Sequence, residues 1–195
     1  MALSGAKGVR VENMTFEFNR SGGIHLGSQA RVIGNGFLNN GTGVGFFTGL
    51  TVGTSSLVLN NVVESSGSFG IWAGNASIVS ENTVYNNGGR GIEVASNSTI
   101  SGNTVNSNGN HGIAVGSGST VSGNSSTANG GAGILCFGRA NIYGNTLSGN
   151  GGYGLSLTNT CGYRGNTISS TNSSGTVFQG INLGGNLCGS STTCP

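Results

Sequence analysis

The side chains best suited to recognise or transform a ligand fall on two repeating phases of this chain. Phe69, Arg90 and His111 follow one another at intervals of 21 residues, and Tyr153 comes two intervals later, past Ala132. His25, Trp72 and Glu93 mark a second phase, with Trp72 and Glu93 again 21 apart. Each lies three residues after a member of the first phase where both are present, so the two series read as neighbouring columns. Together they gather the only Trp, both His, an Arg and a Glu. Phe69 and Trp72 offer flat faces to sugar C–H groups, while Arg90, Glu93, His111 and Tyr153 offer directional hydrogen bonds to hydroxyls or carboxylates. The plainer alternative is that each is a solvated surface residue, since scattered exposed aromatics are normal.

Acid chemistry is sparsely supplied. The five acidic residues are all Glu, and only Glu64, Glu81 and Glu93 fall near the middle of the chain. Glycoside hydrolysis needs two carboxylates facing one bond. Here Glu81 takes the Gly phase of a Gly-Asn turn and Glu64 the phase of Tyr85, so no pair converges. Calcium would need clustered acidic oxygens, which are missing. No catalytic residue, metal site or cofactor is therefore expected. A metal-free lyase or epimerase stays open as an alternative, with His111 or Tyr153 taking a proton and Arg90 neutralising a uronate carboxylate.

Columns require a scaffold that repeats. The marker asparagines Asn13, Asn35, Asn60, Asn82, Asn103, Asn124, Asn145, Asn166 and Asn186 are spaced by 22, 25, 22, 21, 21, 21, 21 and 20 residues. Such a period means that each block is one unit that buries its apolar face only by stacking on the next. Within a block, apolar residues alternate with polar ones over three or four positions, as in Thr99-Ile100-Ser101 and Ile113-Ala114-Val115. Period two argues strand, and no 3.6-residue pattern competes with it. Asn-Gly pairs would ordinarily mark hairpins, but a meander has no reason to keep one residue type at one phase. Coils stacked about 4.8 Å apart do, and their aligned asparagines can hydrogen-bond as a ladder. The fold is read as an all-β parallel β-helix of about eight to nine coils with three short strands each. Residues 1–185 form the solenoid and 186–195 a disulfide-bearing C-terminal cap, with the native solenoid continuing upstream.

The repeat Ile100-x-Gly102-Asn103-x-Val105, then Asn108-Gly109, then Gly112-Ile113-x-Val115, resembles the right-handed parallel β-helix repeats of the pectin-lyase-like superfamily. It is similar above all to NosD-like repeats and to carbohydrate-binding and sugar-hydrolase domains. The resemblance spans roughly Val9 to Asn186 and implies the right-handed sense, which the crossover rule for parallel strands also favours. Two blocks depart from the standard length, one through Gly41–Leu50 and one with an insertion at Ser169–Thr176 before Gly180-Ile181. Both are read as loops on one side of the solenoid, so that Asn182 is expected to follow Ser156 in the column of Trp72 and Glu93.

Four cysteines, Cys136, Cys161, Cys188 and Cys194, fit a protein made in an oxidising compartment, with three possible pairings. Cys188 and Cys194 flank a short Gly-Ser-Ser-Thr-Thr loop and are favoured as a clasp. Cys136 shares the inward phase of Val115 and Leu157, so it also reads as a small buried apolar residue. A net charge of +2 with scattered arginines gives no footprint for nucleic acid, and no apolar run is long enough for membrane insertion. Thr83, Thr104, Ser125, Thr146 and Thr167 form an outward hydroxyl column, read as strand propensity. The leading functional expectation is a secreted, periplasmic or cell-surface module that binds a polysaccharide or cell-surface glycan without catalysis. The alternatives are a structural or assembly segment that self-associates through solenoid ends or faces, and a lyase or epimerase fragment.

Overall fold

The computed structural model describes residues 2–3, 6–41 and 47–195. They form three nine-stranded sheets in which every strand pairs in parallel with the strand one coil away. The first sheet runs from Ala2–Leu3 through Ile71–Ala73 and Ile113–Val115 to Gly175–Phe178. The second runs from Arg10–Glu12 to Ile181–Asn182, and the third from Thr15–Glu17 to Leu187–Cys188. In the regular region the register is one block per coil: Trp72 pairs with Glu93, Ile100 with Val121, Thr104 with Ser125. Phase in the 21-residue repeat therefore does set the side of the molecule.

Alternation places one residue of each short strand inside in the second and third sheets and two in the first, as with Ile71 and Ala73. Val58, Val79, Ile100, Val121, Ile142 and Tyr163 make one such column, Ile71, Ile92, Ile113, Ile134 and Leu155 another, and all are buried. Full burial of one such side chain stabilises by about 1.5–3 kcal/mol. Strands this short gain that only when another coil covers them.

The corners carry the polar half of the design. Between the second and third sheets an asparagine ladder runs through Asn35, Asn61, Asn82, Asn103, Asn124, Asn145, Asn166 and Asn186. In each step the Oδ1 accepts from the backbone N–H and the Nδ2 of the preceding coil, at 2.9 and 3.0 Å for Asn82 onto Asn103. Two expected members are corrected here. Asn60 and Asn13 occupy the preceding position, with φ of 54° and 53°, while Asn61 and Met14 hold the ladder position itself. That preceding position is left-handed in every coil, which explains its glycines, Gly102, Gly123 and Gly144 among them. Asparagine tolerates the same backbone, so adjacent Asn-Asn pairs are ambiguous by residue type alone.

Two further ladders line the other corners. Asn87, Asn108, Asn129, Asn150 and Asn172 repeat the amide pattern between the third sheet and the first. Ser56, Ser77, Ser98 and Ser119 accept backbone N–H bonds between the first and second sheets at 3.1–3.2 Å.

The C-terminal coils also depart from expectation. Phe178, not Asn182, continues the column of Trp72 and Glu93, because it pairs with Ser156. Asn182 instead stacks on Tyr163 in the second sheet. The proposed long insertion at Ser169–Thr176 reduces to one extra residue: Asn172 holds the ladder position 22 residues after Asn150, so Thr176-Val177 takes the place assigned to Gly180-Ile181. In the second irregular block, residues 42–46 lie outside the described residues, and Thr51 holds the outward position between His25 and Trp72.

Cys136 is inward and buried but not a lone apolar residue. It bonds to Cys161, 25 residues on, with Cα atoms 6.7 Å apart. Cys161 occupies the hydroxyl-ladder corner, one coil beyond Ala140. Cys188 and Cys194 form the other disulfide, which holds the chain end where the Tyr163 hydroxyl donates to the Pro195 carbonyl.

Candidate functional site

The first sheet turns two outward columns to solvent. His25, Thr51, Trp72, Glu93, Ala114, Leu135, Ser156 and Phe178 form one by direct register. Backbone bonds between adjacent coils, such as Gly70 N–H to the Arg90 carbonyl and Gly91 N–H to the His111 carbonyl, set Phe69, Arg90, His111, Ala132 and Tyr153 in the other. The glycine that follows each of these residues permits the close approach: a Cβ on Gly91 would lie 2.4 Å from Val105 and 2.8 Å from the Gly112 carbonyl oxygen.

Five of the six expected residues sit together on consecutive coils. Arg90 is the hub: its Nη1 lies 2.6 Å from Glu93 Oε2, with both side chains about a quarter exposed at 23%. Its guanidinium carbon is 5.9 Å from the centre of the Phe69 ring and 5.4 Å from that of Phe137. Arg90 thus reaches across two coils, and Ala114, outward-facing in between, is fully buried. A cation held between two rings and paired with a carboxylate is fixed in place, each ring contributing about 0.5–2 kcal/mol. Trp72 stands half-buried one coil before Glu93.

His111 accepts a hydrogen bond at Nδ1 from the backbone N–H of Ala132, at 2.9 Å. That bond requires an unprotonated Nδ1, so the proton of the neutral ring sits on Nε2. Burial first, then the Arg90 guanidinium, push the His111 pKa below its ordinary value, with Glu93 opposing. Nε2 is accordingly a hydrogen-bond donor.

Tyr153 is separated from this group. It stands two coils beyond His111, past Ala132, and its ring packs on Phe178 at 5.2 Å. At the other end of the same columns a cleft of about 480 Å³ is lined by Arg20, His25, Thr48 and Thr51 among others. Phe137, Phe178 and Arg20 were not singled out from sequence. Phe178 ends the second column and is legible by phase once the last coil is placed, whereas Phe137, one residue past the strand Ile134–Cys136, and Arg20 lie off both phases. Glu64 is on the third sheet beside Tyr85, and Glu81 is at a corner with φ 57°. Glu93 therefore stands as the single carboxylate of this face among the described residues.

The sequence matches the family described as the right handed beta helix region over residues 2–147 and 53–189. The chain belongs to the right-handed β-helix family. No curated protein matches it in sequence. Among solved structures, this β-helix superposes on the A-module of the Azotobacter vinelandii mannuronan C-5 epimerase AlgE4 with a TM-score of 0.74. Identity there is 17%, covering 93% of this chain and 60% of that one. For the periplasmic alginate epimerase AlgG the values are 0.66, 15%, 88% and 58%. For the Dettilon tailspike protein they are 0.54, 17%, 92% and 43%. At these identities the likeness is one of fold, and the β-helix spans three fifths or less of each of these chains.

Proposed function

We propose that the first-sheet face is a polysaccharide-binding surface that does not transform its ligand, on a protein that works outside the cytoplasm. The observation carrying this reading is the Arg90–Glu93 pair held between Phe69 and Phe137 beside Trp72. It offers aromatic faces for sugar rings and fixed polar groups for hydroxyls, while its one carboxylate is already neutralised by an arginine. A lone carboxylate already engaged by an arginine does not supply the two facing carboxylates that hydrolysis needs. Two disulfides support an oxidising compartment. Affinity electrophoresis against a panel of polysaccharides tests the reading. One gel should retard the wild type, and Trp72→Ala should weaken retention about tenfold, roughly 1.4 kcal/mol. Equal retention of the variant overturns it.

A second reading, a uronate epimerase or lyase, is favoured by what the names of two fold neighbours say of those proteins. It needs His111 to release Nδ1 from Ala132, or Tyr153 to act as the base apart from Arg90. Unsaturated uronate absorbance on polyuronates would establish the lyase and a changed ratio of C-5 epimers by NMR the epimerase; either signal, abolished in His111→Ala, would displace the first reading.

A further inference from the structure

The outer face of the second sheet carries a trough that the first-sheet reading does not use. Its floor is Gly162, stacked between Asn141 and Ile181. With no side chain at that point, two adjoining clefts open. One, of about 420 Å³, is walled by Thr120, Asn141, Tyr143, Arg164 and Leu183. The other, of about 340 Å³, shares Asn141, Gly162 and Leu183 and extends to Arg139 and Thr160.

The wall chemistry is specific. The Arg164 guanidinium lies over the Tyr143 ring at 5.3 Å. This contact holds the cation against the ring while its N–H donors remain available to grip a carboxylate. Neither Arg164 nor Arg139 meets a carboxylate: among the described residues the ion pairs are Arg10–Glu12 and Arg90–Glu93. No Asp or Glu occurs anywhere after Glu93, so the positive potential of this end is uncompensated by acidic side chains. Between the two arginines lie an amide and hydroxyls, Asn141, Thr120 and Thr160, with exposed apolar surface from Tyr143, Ile181 and Leu183.

We propose that this trough is a second binding site and that it takes an acidic sugar. A uronate carboxylate bonds to the edge of Arg164, with Arg139 serving a neighbouring acidic unit. The ring lies against Tyr143 and Leu183, and hydroxyls bond to Asn141 and Thr120. Two isolated guanidiniums flanking apolar and amide surface match a carboxylated sugar better than a polyphosphate backbone, which draws on rows of basic residues. The trough shares no residue with the first-sheet face, so the two proposals stand or fall separately.

Gly162 supplies a clean test. Its backbone is not left-handed, and an added Cβ would meet chiefly the outer Cδ1 of exposed Leu183, at 2.9 Å. Gly162→Leu should therefore fold and fill the trough. Titration calorimetry of the full chain would use a hexameric oligogalacturonate and, as the uncharged control, maltohexaose. The acidic hexamer should bind tenfold or more weakly to Gly162→Leu and to Arg164→Gln, with this component retained in Trp72→Ala and reduced by added salt. Unchanged affinity in both trough variants with wild-type circular dichroism overturns the proposal. So does loss of all binding in Trp72→Ala, equal binding of maltohexaose at the trough, or no binding of the acidic hexamer to wild type.

Discussion

The middle coils and the C-terminal coils solve one problem by different means. From Ile71 to Ser148 neighbouring coils are tied at their corners by ladders, and the spacing of 21 holds without exception along Asn61, Asn82, Asn103, Asn124, Asn145 and Asn166. Beyond that stretch the amide steps become 22 between Asn150 and Asn172 and 20 between Asn166 and Asn186. The hydroxyl ladder ends at Ser119, because Ala140 has no acceptor to offer. On the next coil of that corner stands Cys161, bonded back to Cys136. Amide and hydroxyl ladders depend on identical coils, since each hydrogen bond tolerates only a few tenths of an ångström. Where coils cease to be identical, a covalent bond takes over the tie.

The most damaging way to break this comparison is inside the ladder. Asn103 accepts two bonds from Asn82 and donates to Val79 O, Ser101 O and Asn124 Oδ1. Asn103→Ala should cost about 3–5 kcal/mol, as several buried groups lose partners worth about 1–3 kcal/mol each, read as a lower midpoint in urea denaturation. Replacing Cys136 and Cys161 together by Ser should cost about 3 kcal/mol, the loop-closure scale for a bridge of this span. Hydrogen exchange should then quicken mainly in the coils after Ala140, whereas the ladder variant loosens the middle. Uniform loosening in both variants would erase the distinction.

A gap in a ladder can also be mended. Ser66 stands in the second amide column, donates its N–H to Asn87 Oδ1 at 2.9 Å, and its buried hydroxyl finds no hydrogen-bond partner among the described residues. Ser66→Asn should join Asn40 to Asn87 and stabilise by about 1 kcal/mol, the net worth of an added buried hydrogen bond, read as a raised melting temperature.

The weakest tie lies on the outer face, where His111 holds Ala132. Its folded pKa is lowered chiefly by burial, so the unfolded ring protonates first as pH falls. The stability due to this group is complete above the ordinary value of about 6.5 and declines as pH drops through the lower folded value. Melting curves between pH 7.5 and 5.5, about one unit either side of that value, should show this decline, and His111→Gln should flatten it.

Much of this was legible in the chain itself. A block that cannot bury its strands alone must stack, and stacking converts phase into position. That is why the parallel fold, the column of Phe69, Arg90 and His111, and the pairing of Trp72 with Glu93 follow from spacing. Asn103, Asn124 and Asn145 were likewise placed in their ladder, because a lone Asn after Gly has one available role. The C-terminal column was not placed correctly, since an unequal coil removes the phase by which Phe178 is told from Asn182.

Repeat length and residue type alone determined the architecture, the inward columns and the side on which the aromatic and charged residues gather, because translation by one coil preserves side-chain direction. Tertiary structure decided the rest: that Asn61 rather than Asn60 turns inward, that Cys136 meets Cys161, and that Arg90 crosses two coils to Phe137. These outcomes depend on backbone torsions at the corners and on how far a long side chain extends, and neither varies with the period.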